Sequence, residues 1–151
     1  MSERSDFSHV DAAGSARMVD VGAKPVSRRR AVARATVRMA PGTAARLGSL
    51  PKGDALVVAQ VAGIMAAKRA SELIPLCHPL PLSVVEVQLQ IGAAGVEIEA
   101  AAETAARTGV EMEALVAASI AALTVYDMAK SIDKEMSISE VTLVSKSKEP
   151  A

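Results

Sequence analysis

Hydrophobic and polar positions take turns along the chain with two different periods. Residues 31–39 (AVARATVRM) mix Val32, Ala35, Val37 and Met39 with Arg34, Thr36 and Arg38, a short-period pattern that predicts a strand. Pro41 and the following GTAARLGSL predict a short helix ending near Gly48. Asp54 then stands as a cap before ALVVAQVAGIMAAKRASELI, where Leu56, Val57, Val61, Ile64, Met65 and Ala67 recur at spacings near three and four. That is the expected buried face of a long helix, and Pro75 stops it. The segment 76–82 carries Pro79 and Pro81 and is expected to be extended and stiff. Alternation returns over 83–91, where Val85, Val87, Leu89 and Ile91 share a face. A Gly92–Gly95 turn and the partner strand VEIEAAAETA follow, which together predict a hairpin. A second long helix is expected from 110 to 132. A last strand starts at Met136 and runs through Ile138, Val141 and Leu143, with a break in alternation at Ser139–Glu140 that suggests a bulge. The order β, short α, α, β, β, α, β is a split βαβ pattern. It predicts an α+β fold, a four-stranded antiparallel sheet with its helices on one face. Residues 1–17 are polar and aperiodic and are expected to form a flexible arm, with 18–148 a single domain.

Composition sharpens this picture. The chain has 151 residues, half of them apolar and 23% charged, enough for a real core and against general disorder. Phe7 and Tyr126 are the only aromatic residues and Trp is absent, so the core must be built from Val, Ile, Leu, Met and abundant Ala. Small side chains bury little area each, which favours further burial through self-association. Lys and Arg number 17, as do Asp and Glu, giving zero net charge. Neither a general nucleic-acid binder nor an anionic-membrane binder is expected from that balance. No uninterrupted apolar run reaches the length of a bilayer span, and the N-terminus has no secretory-signal pattern. One cysteine, Cys77, can form neither an internal disulfide nor a cysteine-rich metal site. The expectation is a cytoplasmic protein.

Candidate chemistry is confined to a few places. Cys77 and His78 are neighbours on an extended segment, so they point to opposite faces and cannot form a nucleophile–base pair within one chain. They read either as a buried thiol beside an exposed imidazole, or as His78 presented rigidly to a ligand. Glu113, Asp127 and Lys130 fall on one side of the second long helix, and Asp127 and Lys130 are neighbours at i,i+3. A solvated face would explain them equally well. Glu113 and Asp127 lie 14 positions apart, about 21 Å along the helix axis, too far for one small-molecule pocket within one chain. If both are functional, two subunits must share the pocket. Lys52, in PKGD, sits just before a helix cap, where backbone donors favour anions. The other basic residues at element ends, including Arg28–Arg30 and Lys146, are by themselves ordinary solubilising charges.

The strings ELIPLCHPLPL (72–82), GVEMEAL (109–115) and ALTVYDMAK (122–130), with MVDVGAK (18–24), KGD (52–54), AGIMAAKR (62–69) and MSISEVTLVSKS from 136, carry a resemblance. They are similar, in order and over about His9 to Lys146, to the cyclic pyranopterin monophosphate synthase family, molybdenum cofactor biosynthesis protein C (MoaC). The resemblance implies a ferredoxin-like fold in a homohexamer, a trimer of dimers with active sites at subunit interfaces. It implies a phosphorus–oxygen lyase that converts 3′,8-cyclic 7,8-dihydro-GTP to cyclic pyranopterin monophosphate and releases pyrophosphate. On the matching positions it implies that Asp127, Lys52 and Lys130 are catalytic. It implies that Leu76, Cys77, His78, Glu111, Met112, Glu113, Arg29 and Lys146 meet the substrate. Asp127 and Lys130 would move protons as base and acid, while Lys52, Lys146 and Arg29 would hold the triphosphate. His78 would contact phosphate or donate a proton, with phosphate contact favoured, and Glu111 and Glu113 would accept guanine N–H groups. No protein-held cofactor or metal is implied. A Mg²⁺ ion held mainly by the triphosphate would leave little trace in the sequence.

Two departures stand out. KPVSRRR offers consecutive arginines where the family usually has one, so Arg28, Arg29 and Arg30 all compete for that role. Ala70 stands where many relatives have Thr. The alternative reading is a non-catalytic oligomeric metabolite-binding module on the same scaffold, which need not keep Lys52, His78, Glu113, Asp127 and Lys130 together. Nucleic-acid binding through the arginine run lacks the aromatic platforms on which bases stack.

Overall fold

The computed structural model describes residues 8–151. Strand β1 (Ser27–Arg38) leads into a one-turn helix α1 (Pro41–Ala44) and a 3-10 turn at Leu47–Ser49. Helices α2 (Ala55–Ala67) and α3 (Ala70–Leu73) follow, then the hairpin β2 (Leu82–Gly92) and β3 (Gly95–Ala106), helix α4 (Glu111–Ala129) and strand β4 (Ser137–Pro150). The sheet order is β2-β3-β1-β4 with every pairing antiparallel. This is the ferredoxin-like α+β arrangement that the element order predicts.

Alternation decides which side of the sheet is dry. Ala31, Ala33, Ala35 and Val37 of β1 and Val96, Ile98, Ala100 and Ala102 of β3 point to the helices and are buried. The opposite face is polar, with Arg34 Nη2 3.1 Å from Glu99 Oε2 and Arg30 Nε 3.3 Å from Glu103 Oε1. The hairpin closes through Gly92 paired with Gly95. Gly95 has φ +137°, and a side chain there would collide with the Val37 carbonyl, so only glycine fits. The bulge falls where alternation breaks: the β1–β4 register shifts between Arg34 and Thr36, and Glu140 takes φ 57°.

Three expectations need correction. The first strand begins at Ser27, four residues early, and β4 continues to Pro150. Its last residues pair with the arginine run, Arg28 with Glu149 and Arg29 with Lys148, and charge masks the alternation there. The long helix is interrupted at Lys68–Arg69, between α2 and α3. The buried face of α2 is also not the expected one. Ala55, Ala59, Gly63, Ala66 and Ala67 face inward, while Val57, Val61 and Met65 are 54%, 51% and 50% exposed. Gly63 is in contact with α4: a Cβ there would sit 2.9 Å from the Ala117 carbonyl oxygen and 3.3 Å from Ala121 Cβ. Close approach of the two helices selects the smallest side chains, so the large apolar ones are left outside.

Helix α4 has the length and mean hydropathy of a membrane span. Many of its apolar side chains are committed to the core, where Ala114, Ala117, Ala118, Ala121, Ala122 and Val125 are fully enclosed between the sheet and α2, while Leu123 faces outward. Part of the expected flexible arm, residues 1–7, lies outside the described residues. Residues 9–17 form a tight loop, closed by Arg17 N–H donating to the His9 carbonyl at 2.8 Å and by a Val10–Ala16 bridge.

Candidate active site

The functional candidates collect at the two ends of α4. At its C-terminal end, the Asp127 carboxylate takes Lys130 Nζ on Oδ1 at 2.8 Å and Lys52 Nζ on Oδ2 at 3.2 Å. Lys52 Nζ also donates to the Asp127 carbonyl at 3.4 Å, one of the last-turn carbonyls that the helix leaves unpaired. Lys52 therefore does not sit at the α2 N-terminus, where its position in PKGD pointed. There the donors are taken by Asp54, whose Oδ1 accepts from Leu56 N–H at 3.0 Å and Val57 N–H at 3.3 Å. Hydrogen bonds from Lys130, then Lys52, hold the Asp127 carboxyl below the usual carboxylate range, and Asp127 in turn raises Lys130. The cluster is thus a carboxylate held between two lysine side chains, with Asp127 shifted towards its charged form and Lys130 likewise. The pairing weakens Asp127 as a base until a ligand draws a lysine away. Tyr126, Ser131, Asp133 and Lys134 complete the walls of a cavity of about 400 Å³ around these groups.

The N-terminal end of α4 carries the rest. Val110 occupies the N-cap position and contributes no side-chain cap, while the first turn carries the carboxylates of Glu111 and Glu113, the latter accepting its own backbone N–H. A cleft of about 270 Å³ joins this end to Arg29, Glu111, Lys146 and Lys148. Lys146 Nζ lies 3.6 Å from Glu111 Oε1, and Arg29 Nε donates to Ser27 Oγ at 3.0 Å. Strand alternation separates the three arginines. Arg29 shares the helix side of the sheet with buried Ser27 and Ala31, and Arg30 turns to Glu103 on the far face. Arg28, one residue from Arg29, also falls on the far face.

Glu113, on the first turn of α4, is only 3% exposed. Its Oε1 receives the Cys77 thiol at 3.7 Å, and its Oε2 has no partner among the described residues. Burial raises the Glu113 carboxyl, and burial together with Glu113 pushes the Cys77 thiol up to about 11. His78 Nε2 lies 2.6 Å from the Val19 carbonyl oxygen. A carbonyl only accepts, so Nε2 carries the proton and Nδ1 is left for a ligand. Leu76 and Met112 are half-buried beside these residues in the chain.

Within one chain, then, Lys52, Asp127 and Lys130 meet, and Cys77 meets Glu113. Lys146 meets Glu111 near Arg29, and His78 is tied to the segment 18–26. The two ends stay apart, as the helix length requires. Sequence reasoning passed over Asp133, although a signal for it exists. Ala40 stands at the N-cap of α1 with no local capping side chain, which leaves donors there for a distant acceptor or for water. Among the described residues no group of three or more His, Cys, Asp or Glu gathers as a metal site.

A ferredoxin-like α+β chain with a Lys–Asp–Lys cluster at one end of its central helix and a basic cleft at the other is a small-molecule enzyme. Residues 18–149 match the family described as the MoaC family. A protein of Roseiflexus sp. (strain RS-1) named cyclic pyranopterin monophosphate synthase is 58% identical over 147 residues, covering 95% of this chain and 93% of its own. The protein of that name from Chloroflexus aurantiacus (strain ATCC 29366 / DSM 635 / J-10-fl) is 58% identical over 151 residues, covering 97% and 93%. Its namesake from Novosphingobium aromaticivorans is 54% identical over 143 residues, covering 93% and 91%. The chain belongs to the MoaC family.

Proposed function

We propose that this protein converts 3′,8-cyclic 7,8-dihydro-GTP to cyclic pyranopterin monophosphate and pyrophosphate, a step of molybdenum cofactor biosynthesis. The observation that carries the reading is the Lys52–Asp127–Lys130 cluster, held in a cavity on a chain so close to synthases of that name. Opening a guanine-derived ring and closing a pyrazine ring requires protons to leave and join nitrogens. Asp127 takes them and Lys130 gives them, each step worth roughly 10²–10⁴-fold. In the cyclisation a sugar hydroxyl oxygen bonds to the α-phosphorus, the bond from that phosphorus to the bridging oxygen breaks, and pyrophosphate leaves. The hydroxyl proton passes to a base, and Lys52 offsets the charge that builds on phosphate.

Arg29 and Lys146, beside the start of α4, hold the triphosphate, and His78 contacts phosphate on its Nδ1 side. Glu111 and Glu113 accept guanine N–H groups, with the Leu76–His78 and Met112–Glu113 stretches forming the walls. Because the two clusters lie about 21 Å apart along α4, one site takes the N-terminal cluster of one copy and the C-terminal cluster of another. The outward Val57, Val61 and Met65 of α2, with Leu73 and Leu123, supply apolar surface for such contacts. The assembly is a homohexamer, a trimer of dimers, working in the cytoplasm.

The test is incubation of the purified protein with the cyclic GTP intermediate, followed by oxidation and fluorescence detection of the pterin. Product is expected from the native chain and not from Lys52→Ala or Asp127→Asn, with the assembly intact by sedimentation. Binding without turnover by the native chain would instead mark a metabolite-binding module.

A further inference from the structure

The cavity around Lys52, Asp127 and Lys130 is framed by chain segments that are distant in sequence. Lys52 lies on the turn at Leu50–Gly53 that follows α1 and the 3-10 turn, closed by reciprocal Leu50–Gly53 backbone bonds of 3.1 and 2.9 Å. Asp127 and Lys130 belong to the last turn of α4 and its C-cap. The reach of Lys52 to Asp127, 3.2 Å, therefore depends on how the α1 segment sits against the end of α4.

Asp133 spans that gap. Its backbone N–H donates to the Ala129 carbonyl at 3.1 Å, which prolongs the α4 ladder beyond Lys130. Its Oδ1 accepts from Glu135 N–H at 2.9 Å and turns the chain towards β4. Its Oδ2 accepts from Thr43 Oγ at 2.8 Å and from Ala40 N–H at 3.2 Å, capping α1 from across the chain. Thr43 is buried and lies outside the cavity lining, whereas Asp133 is part of that lining. One carboxylate thus holds three donors and ties the segment leading to Lys52 to the helix end bearing Asp127 and Lys130.

We propose that Asp133 is a positioning residue for the reaction: through Thr43 and Ala40 it sets the distance between Lys52 and the Asp127–Lys130 pair. The inference rests on the proposed reading of that trio as the reacting groups. A misplacement of about 1 Å at reacting groups costs on the order of 10²-fold in rate. A clamp anchored nine residues before Lys52 and three after Lys130 has the leverage to impose one.

Thr43→Val is the sharpest probe, because it removes the hydroxyl, keeps the shape and leaves the cavity walls untouched. Thr43→Ser restores the hydroxyl, and Asp133→Ala removes the clamp outright. Each is assayed with the cyclic GTP intermediate well below its melting temperature, alongside a ¹³C NMR titration of the Asp127 carboxyl. Thr43→Val and Asp133→Ala are expected to lower kcat roughly 10–100-fold with little change in KM, while Thr43→Ser stays within about threefold of the native chain. In Thr43→Val the Asp127 carboxyl should titrate closer to an ordinary aspartate, because Lys52 has moved away. If Asp133→Ala fails to fold, the Thr43 pair carries the test alone. Native kcat in folded Thr43→Val, with an unmoved Asp127 titration, would overturn the proposal and leave Asp133 a purely structural cap. Full turnover by Lys52→Ala would instead sink the reading of the trio. The Asp127 titration would still decide the clamp, an unmoved curve overturning it and a shifted one supporting it.

Discussion

The proposed division of one site between the ends of α4 in different copies makes a quantitative prediction for mixed assemblies. One variant carries Asp127→Asn, which disables the C-terminal cluster. The other carries Arg29→Ala with Lys146→Ala, which disables the N-terminal cleft. Neither chain is expected to turn over substrate alone. When the two are unfolded together in equal amounts and refolded, every shared site draws its C-terminal half from an intact chain with probability one half. The same holds for its N-terminal half. About a quarter of the sites then regain both halves, so activity should recover to roughly 25% of native. The geometry behind this is the 14-position separation of Glu113 and Asp127, about 21 Å of helix, which no side chain of one copy can bridge. The assay is the pterin fluorescence readout, with chain mixing checked by native mass spectrometry. Mixed assemblies whose activity stays at the sum of the separate variants would refute the shared site.

Glycine substitutions should separate by their surroundings. Gly63→Ala gains about 1 kcal/mol of helix propensity but overpacks the α2–α4 contact by about 1–3 kcal/mol, a net loss of roughly 0–2 kcal/mol. Gly42→Ala, with nothing within 4 Å, should gain about 0.4–1 kcal/mol, and urea midpoints in the opposite order would contradict the packing account. Cys77, with its thiol pushed up to about 11, should react with iodoacetamide at pH 8 on the order of 100-fold more slowly than an unhindered thiol; equal rates would contradict its burial beside Glu113. Asp127 and Asp133 are both held below the usual carboxylate range, so the stability they add is complete above that range and shrinks as pH falls through it. Acid titration of the urea midpoint should therefore be shallower in Asp133→Asn than in the native chain, and parallel curves would deny Asp133 that role.

The hairpin, the bulge and the two long helical stretches were legible because each is written in local periodicity and turn chemistry. The glycine turn before Gly95 and the misfit at Ser139–Glu140 are examples. Strand ends at Ser27–Arg30 and Lys146–Pro150 were hidden, because edge pairing between charged residues leaves no hydrophobic alternation to read. The inward face of α2 was misread for a physical reason. Periodicity weights Val57, Val61 and Met65 heavily, yet contact with α4 selects Ala59 and Gly63. Of the candidate site, the Asp127–Lys130 pair followed from i,i+3 spacing, and the helix arithmetic placed Glu113 and Asp127 at opposite ends of α4. The contacts Lys52–Asp127, Cys77–Glu113 and Thr43–Asp133 join residues 75, 36 and 90 positions apart and exist only once the fold is closed.

The two ends of α4 are not interchangeable, and the helix itself explains why each holds what it does. Its N-terminus carries a partial positive charge, met in its first turn by Glu111 and Glu113, and Arg29, Lys146 and Lys148 add basic groups to the cleft that Glu111 also lines. Its C-terminus presents unpaired carbonyls and a partial negative charge; Lys52 donates to one of those carbonyls, and Lys52 and Lys130 both pair with the Asp127 carboxylate. On the proposed reading, one helix sorts a binding function to its start and a proton-moving function to its end, at the cost of separating them by most of its length. On that reading an isolated chain can bind or deliver protons but cannot do both to one molecule. Burying the outward apolar face of α2 against further copies is what would bring a start and an end together.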